Sequence, residues 1–130
     1  MIEPNLKVLN KDIMLDLIGD DPVMIRQFGI DFLKQAKESL QKIILMYNQN
    51  SFTAVKEEAH YLKTSAAAVG AEQTSHLLKA LEVSGEVGDK QQCKHLILEI
   101  KSSLKQVHGA IIDDSSTNSS MPPSQGDNAL

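Results

Sequence analysis

The residues able to do chemistry gather in one stretch, AHYLKTSAAAVGAE, from Ala59 to Glu72. The apolar residues Phe52, Val55, Ala59, Leu62, Ala66 and Val69 run through it at alternating gaps of three and four. That spacing is the seam of a helix packed at a shallow angle in a bundle. Each helical residue turns roughly 100° about the axis, so His60 points roughly 130° away from the centre of that stripe. The imidazole therefore faces outward. Lys63 is three residues on and Thr64 four, so both flank it on the surface, and Ala67 lies on the same side. Exposed imidazoles as a class titrate near about 6.5 and are largely neutral, hence nucleophilic, at pH 7. Such a ring can accept a phosphoryl group at nitrogen. A lysine one turn away is placed to offset the charge on the phosphoryl oxygens. Small residues beside the ring let a partner's active site come close. The same geometry also fits a surface histidine and lysine with no task, on a helix rich in alanine for its propensity.

The elements that must position these residues are all helical in period. A short amphipathic helix covers about Lys11–Ile18, with Ile13, Met14, Leu17 and Ile18 on one side. Gly19, Asp20, Asp21 and Pro22 break it, and Asp21 before Pro22 reads as an N-cap followed by proline at the first helical position. A long helix follows to about Tyr47, with Ile25, Phe28, Phe32, Ala36, Leu40, Ile43, Ile44 and Tyr47 as its stripe. Ser51 is the expected cap of the His60 helix, and Gly70 sits where a terminating glycine belongs. The next helix spans about Glu72 to Ser84, with Leu77, Leu78 and Leu81 inward and Gly85 and Gly88 flanking the turn after it. The last runs from about Asp89 to Ile112 on Cys93, Leu96, Ile97, Ile100, Leu104, Val107 and Ile111. Short loops imply antiparallel neighbours. The expected fold is all-α: an antiparallel four-helix bundle with a short extra N-terminal helix, as one domain over residues 1–112. Residues 113–130, DDSSTNSSMPPSQGDNAL, hold too few apolar side chains to offset their ordering entropy and read as a disordered C-terminal tail.

Charge and composition remove several function classes. The chain of 130 residues carries 13 Lys and Arg against 17 Asp and Glu. Three of those acids and none of the bases fall in the tail, so the body is close to neutral. It lacks the basic field that a phosphate backbone demands, and nucleic acid is not an expected partner. No apolar run approaches the roughly eighteen residues of a membrane helix, and the N-terminus lacks a signal-peptide pattern. One cysteine allows no internal disulfide and fits a reducing compartment. The expected location is the cytoplasm. Each helix has one apolar stripe, so a monomer is expected.

Other candidate chemistry is thin. Glu57 and His60 form a Glu-x-x-His, the unit of di-iron bundles, but no second unit exists, since Glu72 and His76 are four apart, and His60 points away from the core. No metal is expected. His76, His95 and His108 read as surface residues and Cys93 as core. No Gly-x-x-x-x-Gly-Lys or other glycine-rich phosphate loop occurs, so the chain has no means of phosphorylating itself from ATP.

The stretch from Ala59 to Ala71 resembles the motif of histidine-containing phosphotransfer (HPt) domains, the shuttles of multistep two-component phosphorelays. That pattern is a histidine, an apolar residue two on, lysine three on, a small residue four on and glycine ten on. His60, Leu62, Lys63 and Gly70 match it. Glu82 falls where the family commonly places Glu or Gln, on the next helix facing the histidine. The helix order is similar too, over about residues 8–112. One position departs: the residue after the lysine is usually glycine and here is Thr64, which bears on how closely a partner docks and how long the phosphoryl group survives. The resemblance implies that His60 is phosphorylated and that Lys63 stabilises the phosphoryl charge. It implies that Ser65 and Glu82 hydrogen-bond to or orient the imidazole or its surroundings, and that Gly70 ends the helix. It implies response-regulator receiver domains and a (hybrid) sensor histidine kinase as partners. The chain brings no cofactor of its own, and Mg²⁺ is expected in the partner receiver. Ala67, with Ile13 and Leu17 of the front helix, is the expected docking face. The protein would be a phosphocarrier without kinase activity. Two alternatives stand beside this: a non-catalytic helical docking module in which His60 is incidental, and a degenerate domain, admitted by Thr64, that docks receivers without carrying phosphate.

Overall fold

A computed structural model of the protein describes residues 5–115. Five helices follow in order: α1 (Lys11–Ile18), α2 (Pro22–Asn48), α3 (Phe52–Val69), α4 (Glu72–Val87) and α5 (Lys90–Ser115). The chain turns between α2 and α5 in two or three residues at each joint, so successive long helices run antiparallel. They pack as a ring, α2 on α3, α3 on α4, α4 on α5 and α5 back on α2, while α1 lies across α2 and α3. This is the all-α four-helix bundle with a front helix that the periodicity predicts.

The joints show why each helix begins and ends. Asp21 accepts hydrogen bonds from the amides of Val23 and Met24, and Pro22 opens α2. Asn10 does the same for Asp12 at the start of α1. Ser51 occupies the cap position of α3, but its side chain makes no cap hydrogen bond, contrary to expectation. Gly70 and Gly88 end α3 and α4 in the left-handed region, where a side chain is strained. Behind each, the next amide reaches back five residues, Ala71 to Ala66 O and Asp89 to Ser84 O, closing the last turn.

Three sequence expectations change. Helix α4 does not stop at Ser84. Gly85 is a buried interior residue of the helix, and only Gly88 ends it. A Cβ at Gly85 would stand 3.1 Å from Phe52 O and 3.3 Å from Lys56 Cβ, so glycine is there to let α4 approach α3, not to turn the chain. On α2, Ile44 is 37% exposed, while Gly29 and Ser39 lie buried beside Phe32, Ala36 and Ile43. Helix α5 passes the expected boundary at 112 and continues through Ser115. The rest of the expected tail, 116–130, lies outside the described residues.

The core joins Phe32, Ile43, Val55, Leu62, Leu78, Leu81, Ile100 and Val107, with Cys93 and small alanines at the closest approaches. Burial raises the Cys93 thiol above its ordinary pKa, with Asp89 adding to the effect, so it stays a neutral core residue. Polar pairs fix the register between helices. Ser39 donates to Glu58 at 2.7 Å across α2 and α3. The Thr74 and Ser103 hydroxyls bond each other across α4 and α5, out of reach of water.

Candidate functional site

The site stands on the seam between α3 and α4. Val55, Ala59, Leu62, Ala66 and Val69 turn the apolar face of α3 into the core, which leaves His60 on the outer face. Its side chain is 64% exposed. On α4, Leu78 and Leu81 turn inward, and Glu82 falls at the edge facing α3. Gly85, one turn later, brings the two backbones together. The Glu82 carboxylate, only 11% exposed, is thereby held between two α3 side chains. Its Oε2 lies 2.6 Å from His60 Nδ1, and its Oε1 lies 2.7 Å from Lys63 Nζ. The Lys63 contact is an ion pair off the line of a good hydrogen bond, and Oε1 is sealed from water. One turn away, Lys56 and Glu86 pair at 2.6 Å across the same seam.

Two electrostatic consequences follow. Partial burial pushes the Glu82 carboxyl up, but its contacts with Lys63 and then His60, and the charge of each, outweigh burial. The pKa is held below the ordinary value of 4.5, so the group is an anion at neutral pH. A carboxylate only accepts hydrogen bonds, so a neutral His60 ring carries its proton on Nδ1. The lone pair is then on Nε2, the outer nitrogen.

The remaining expected site residues divide. Glu82 does contact the imidazole. Lys63 flanks His60 but is tied to Glu82 and only 23% exposed. Thr64 is exposed, and its hydroxyl donates to the His60 backbone carbonyl at 3.3 Å rather than to the ring. Ser65 does not orient the imidazole: it accepts a hydrogen bond from Gln35 Nε2 at 2.8 Å, against α2. Five residues carry it roughly 140° round the helix from His60, which explains the different neighbour. Gly70 ends the helix roughly 15 Å farther along. A Cβ there would run into the Asn10 backbone, and Asn10 N donates to Gly70 O at 2.7 Å.

That contact belongs to a clamp the sequence reading missed. Residues 6–10 lie across the corner between α3 and α4. Glu72 accepts from Lys7 N at 3.0 Å and from Asn10 Nδ2 at 2.8 Å. Gln73 donates from its backbone to Lys7 O and from its side chain to Leu6 O. The Asn10 and Lys7 bonds hold the Glu72 carboxyl below its ordinary range. Glu72 was visible only as a helix-starting acid, because its partners lie more than sixty residues away. The clamp sets α1 beside α3. Ile13, half-buried, and exposed Ala67 line one shallow hollow with Leu6, Glu72 and His76. Leu17, one turn after Ile13 on α1, is 58% exposed and outside that hollow. Of the other histidines, His95 pairs with Glu99 on its own helix at 2.9 Å.

Among the described residues, no three His, Cys, Asp or Glu side chains come together to hold a metal ion. No described helix is long and apolar enough to cross a membrane.

The family model of the Hpt domain matches residues 29–110. Among solved structures, the fold is similar to the crystal structure of histidine-containing phosphotransfer protein B from Pseudomonas aeruginosa PAO1. The TM-score is 0.69 at 20% sequence identity, over 86% of this chain and 96% of that one. No curated protein matches.

Proposed function

Since the chain belongs to the Hpt domain family, whose members are phosphotransfer intermediates of two-component signalling, we propose that it relays phosphate through His60. Nε2 would accept the group from an aspartyl phosphate of one receiver domain and pass it to an aspartate of another. The observation that carries this reading is the 2.6 Å contact between His60 Nδ1 and a sheltered Glu82 carboxylate, on a ring that is otherwise open to solvent.

The chemistry needs little else from this chain. The Nε2 lone pair attacks phosphorus, a P–N bond forms, and the P–O bond to the aspartyl carboxylate breaks. No proton has to leave Nε2, because none is there. The ring becomes a phosphorylated imidazolium whose remaining N–H faces the Glu82 anion, so the new positive charge forms beside a counter-charge already in place. Lys63, one turn on, supplies the cation for the phosphoryl oxygens. The return step reverses these bonds on the second receiver. Transfer is mostly positioning and charge stabilisation. The receiver would bring the attacking or leaving carboxylate and Mg²⁺, and this chain, as a monomer, would bring no cofactor. Receivers would dock on the face of Ala67, Ile13 and Leu17, which the clamp at Glu72 holds beside the site. A sensor kinase carrying its own receiver is the fitting donor.

The test is phosphotransfer from a radiolabelled phospho-receiver to the wild type and to His60→Gln. The expected label is acid-labile, base-stable and confined to the wild type. Label on both, or on neither with receivers that serve other Hpt domains, would refute the reading.

A further inference from the structure

The face diagonal to His60, between α2 and α5, holds an open groove of about 350 Å³. Its floor is apolar: Leu33, Leu40 and Ile44 of α2 meet Leu104 of α5, and the small Ala36 makes the depression. Its charged lining is of one sign, with Lys37 on the α2 lip and Lys101 and Lys105, one turn apart, on the α5 lip. These three lysines have no ion-pair partner among the described residues. The seam at His60 is the opposite case, since Lys56 and Lys63 there each face a glutamate. An apolar trough between unpaired cations is built to receive apolar residues flanked by anions.

We propose that this groove docks an acidic amphipathic helix of a partner protein. From Leu33 to Ile44 the floor runs roughly 16 Å, three turns of a guest helix lying between α2 and α5. The guest buries an apolar stripe on that floor and sets aspartates or glutamates against Lys37 on one side and Lys101 and Lys105 on the other. Other occupants fit less well. A second copy of this face would bring six lysines together. The segment 116–130 of this chain carries a single acidic side chain, Asp127, so it does not bring the matching charges. A membrane surface is too broad to reach a floor sunk between two helices. Because the groove and the His60 seam lie on opposite sides of the ring, a guest here leaves His60 open. The bundle then holds one partner while it exchanges phosphate with another. The groove itself does not depend on His60 carrying phosphate.

The test is an amide NMR titration of the full chain with a synthetic acidic amphipathic helix about four turns long, leucines on one stripe and glutamates beside it. A scrambled peptide and a version with lysine for glutamate serve as controls. Shifts are expected at Lys37, Ile44, Lys101 and Lys105 and not at His60, with binding that weakens as salt rises. Lys101→Glu with Lys105→Glu should weaken binding about tenfold. Both side chains are exposed, so circular dichroism and the rate of phosphotransfer to His60 should stay unchanged. Equal binding of a control peptide, undiminished binding by the double variant, or shifts centred on His60 would overturn the proposal. So would groove shifts on deleting 116–130, on raising protein concentration, or on adding anionic phospholipid vesicles in place of the peptide. Those three would name the tail, a second copy or a membrane as the occupant.

Discussion

Replacing Glu82 by glutamine tests the role of the carboxylate with the least change of shape. Glutamine keeps the volume and one carbonyl acceptor but removes the negative charge. A hydrogen bond to a charged group contributes about 1.5–3 kcal/mol where it is sheltered. Here the acceptor is sheltered but the imidazole is 64% exposed, and solvent screening cuts the figure to about 1 kcal/mol. That corresponds to about fivefold in rate. The same substitution frees Lys63, which would favour the incoming phosphoryl oxygens. Lys63 is already one turn from the ring and can pivot on a flexible stem, so its release adds less than the lost counter-charge removes. The expected result is an about twofold to fivefold slower phosphorylation of His60 in rapid-quench transfer from a phospho-receiver. Imidazole nitrogen NMR of the unphosphorylated protein should show a larger share of the Nε2–H tautomer. An unchanged tautomer ratio would refute the argument that Glu82 fixes the ring. A faster transfer would show that the carboxylate restrains Lys63 more than it supports the imidazolium.

Acid should destabilise the fold through the two carboxylates held below their ordinary value of 4.5, Glu82 and Glu72. Each binds its proton more weakly when folded, so its contribution is full above that value and is lost as pH falls through the folded pKa. Urea unfolding below about pH 4.5 should show this slope, reduced in Glu72→Gln; an identical slope in that variant would contradict the clamp's energetic role. Thr74→Val strands the Ser103 hydroxyl between α4 and α5 and should cost about 1–3 kcal/mol, with part recovered in the double variant with Ser103→Ala; additive costs would mean the pair is uncoupled. Leu17→Asp, at an exposed position on α1, should lower receiver binding and transfer severalfold with no change in melting temperature, and equal transfer would remove α1 from the docking face.

What the sequence revealed and what it hid have separate physical causes. Helical period is a property of neighbouring residues, so the outward direction of His60 and the inward stripe of α5 could be read from spacing alone. Contacts between helices depend on how closely two backbones approach, and that is where the reading failed. Ser65 was placed at the histidine by the family resemblance alone; the helical period already turns it roughly 140° away, and the structure gives it to Gln35 on α2. Gly85 looked like a turn because glycine usually punctuates, yet its missing Cβ is what brings α4 against Phe52 and Lys56. Glu82 lies three residues before Gly85 on the same seam, where a Cβ would meet Phe52 O at 3.1 Å and press the two helices apart by a few tenths of an ångström. Glu72 was hidden for a related reason, since the backbone groups it binds come from a segment with no periodic signal. His60 and Lys63 were therefore legible as a local pattern, and Glu82 through the family resemblance. The contacts themselves, Glu82 with His60 and Glu72 with Lys7 and Asn10, exist only once α3 and α4 have closed on each other.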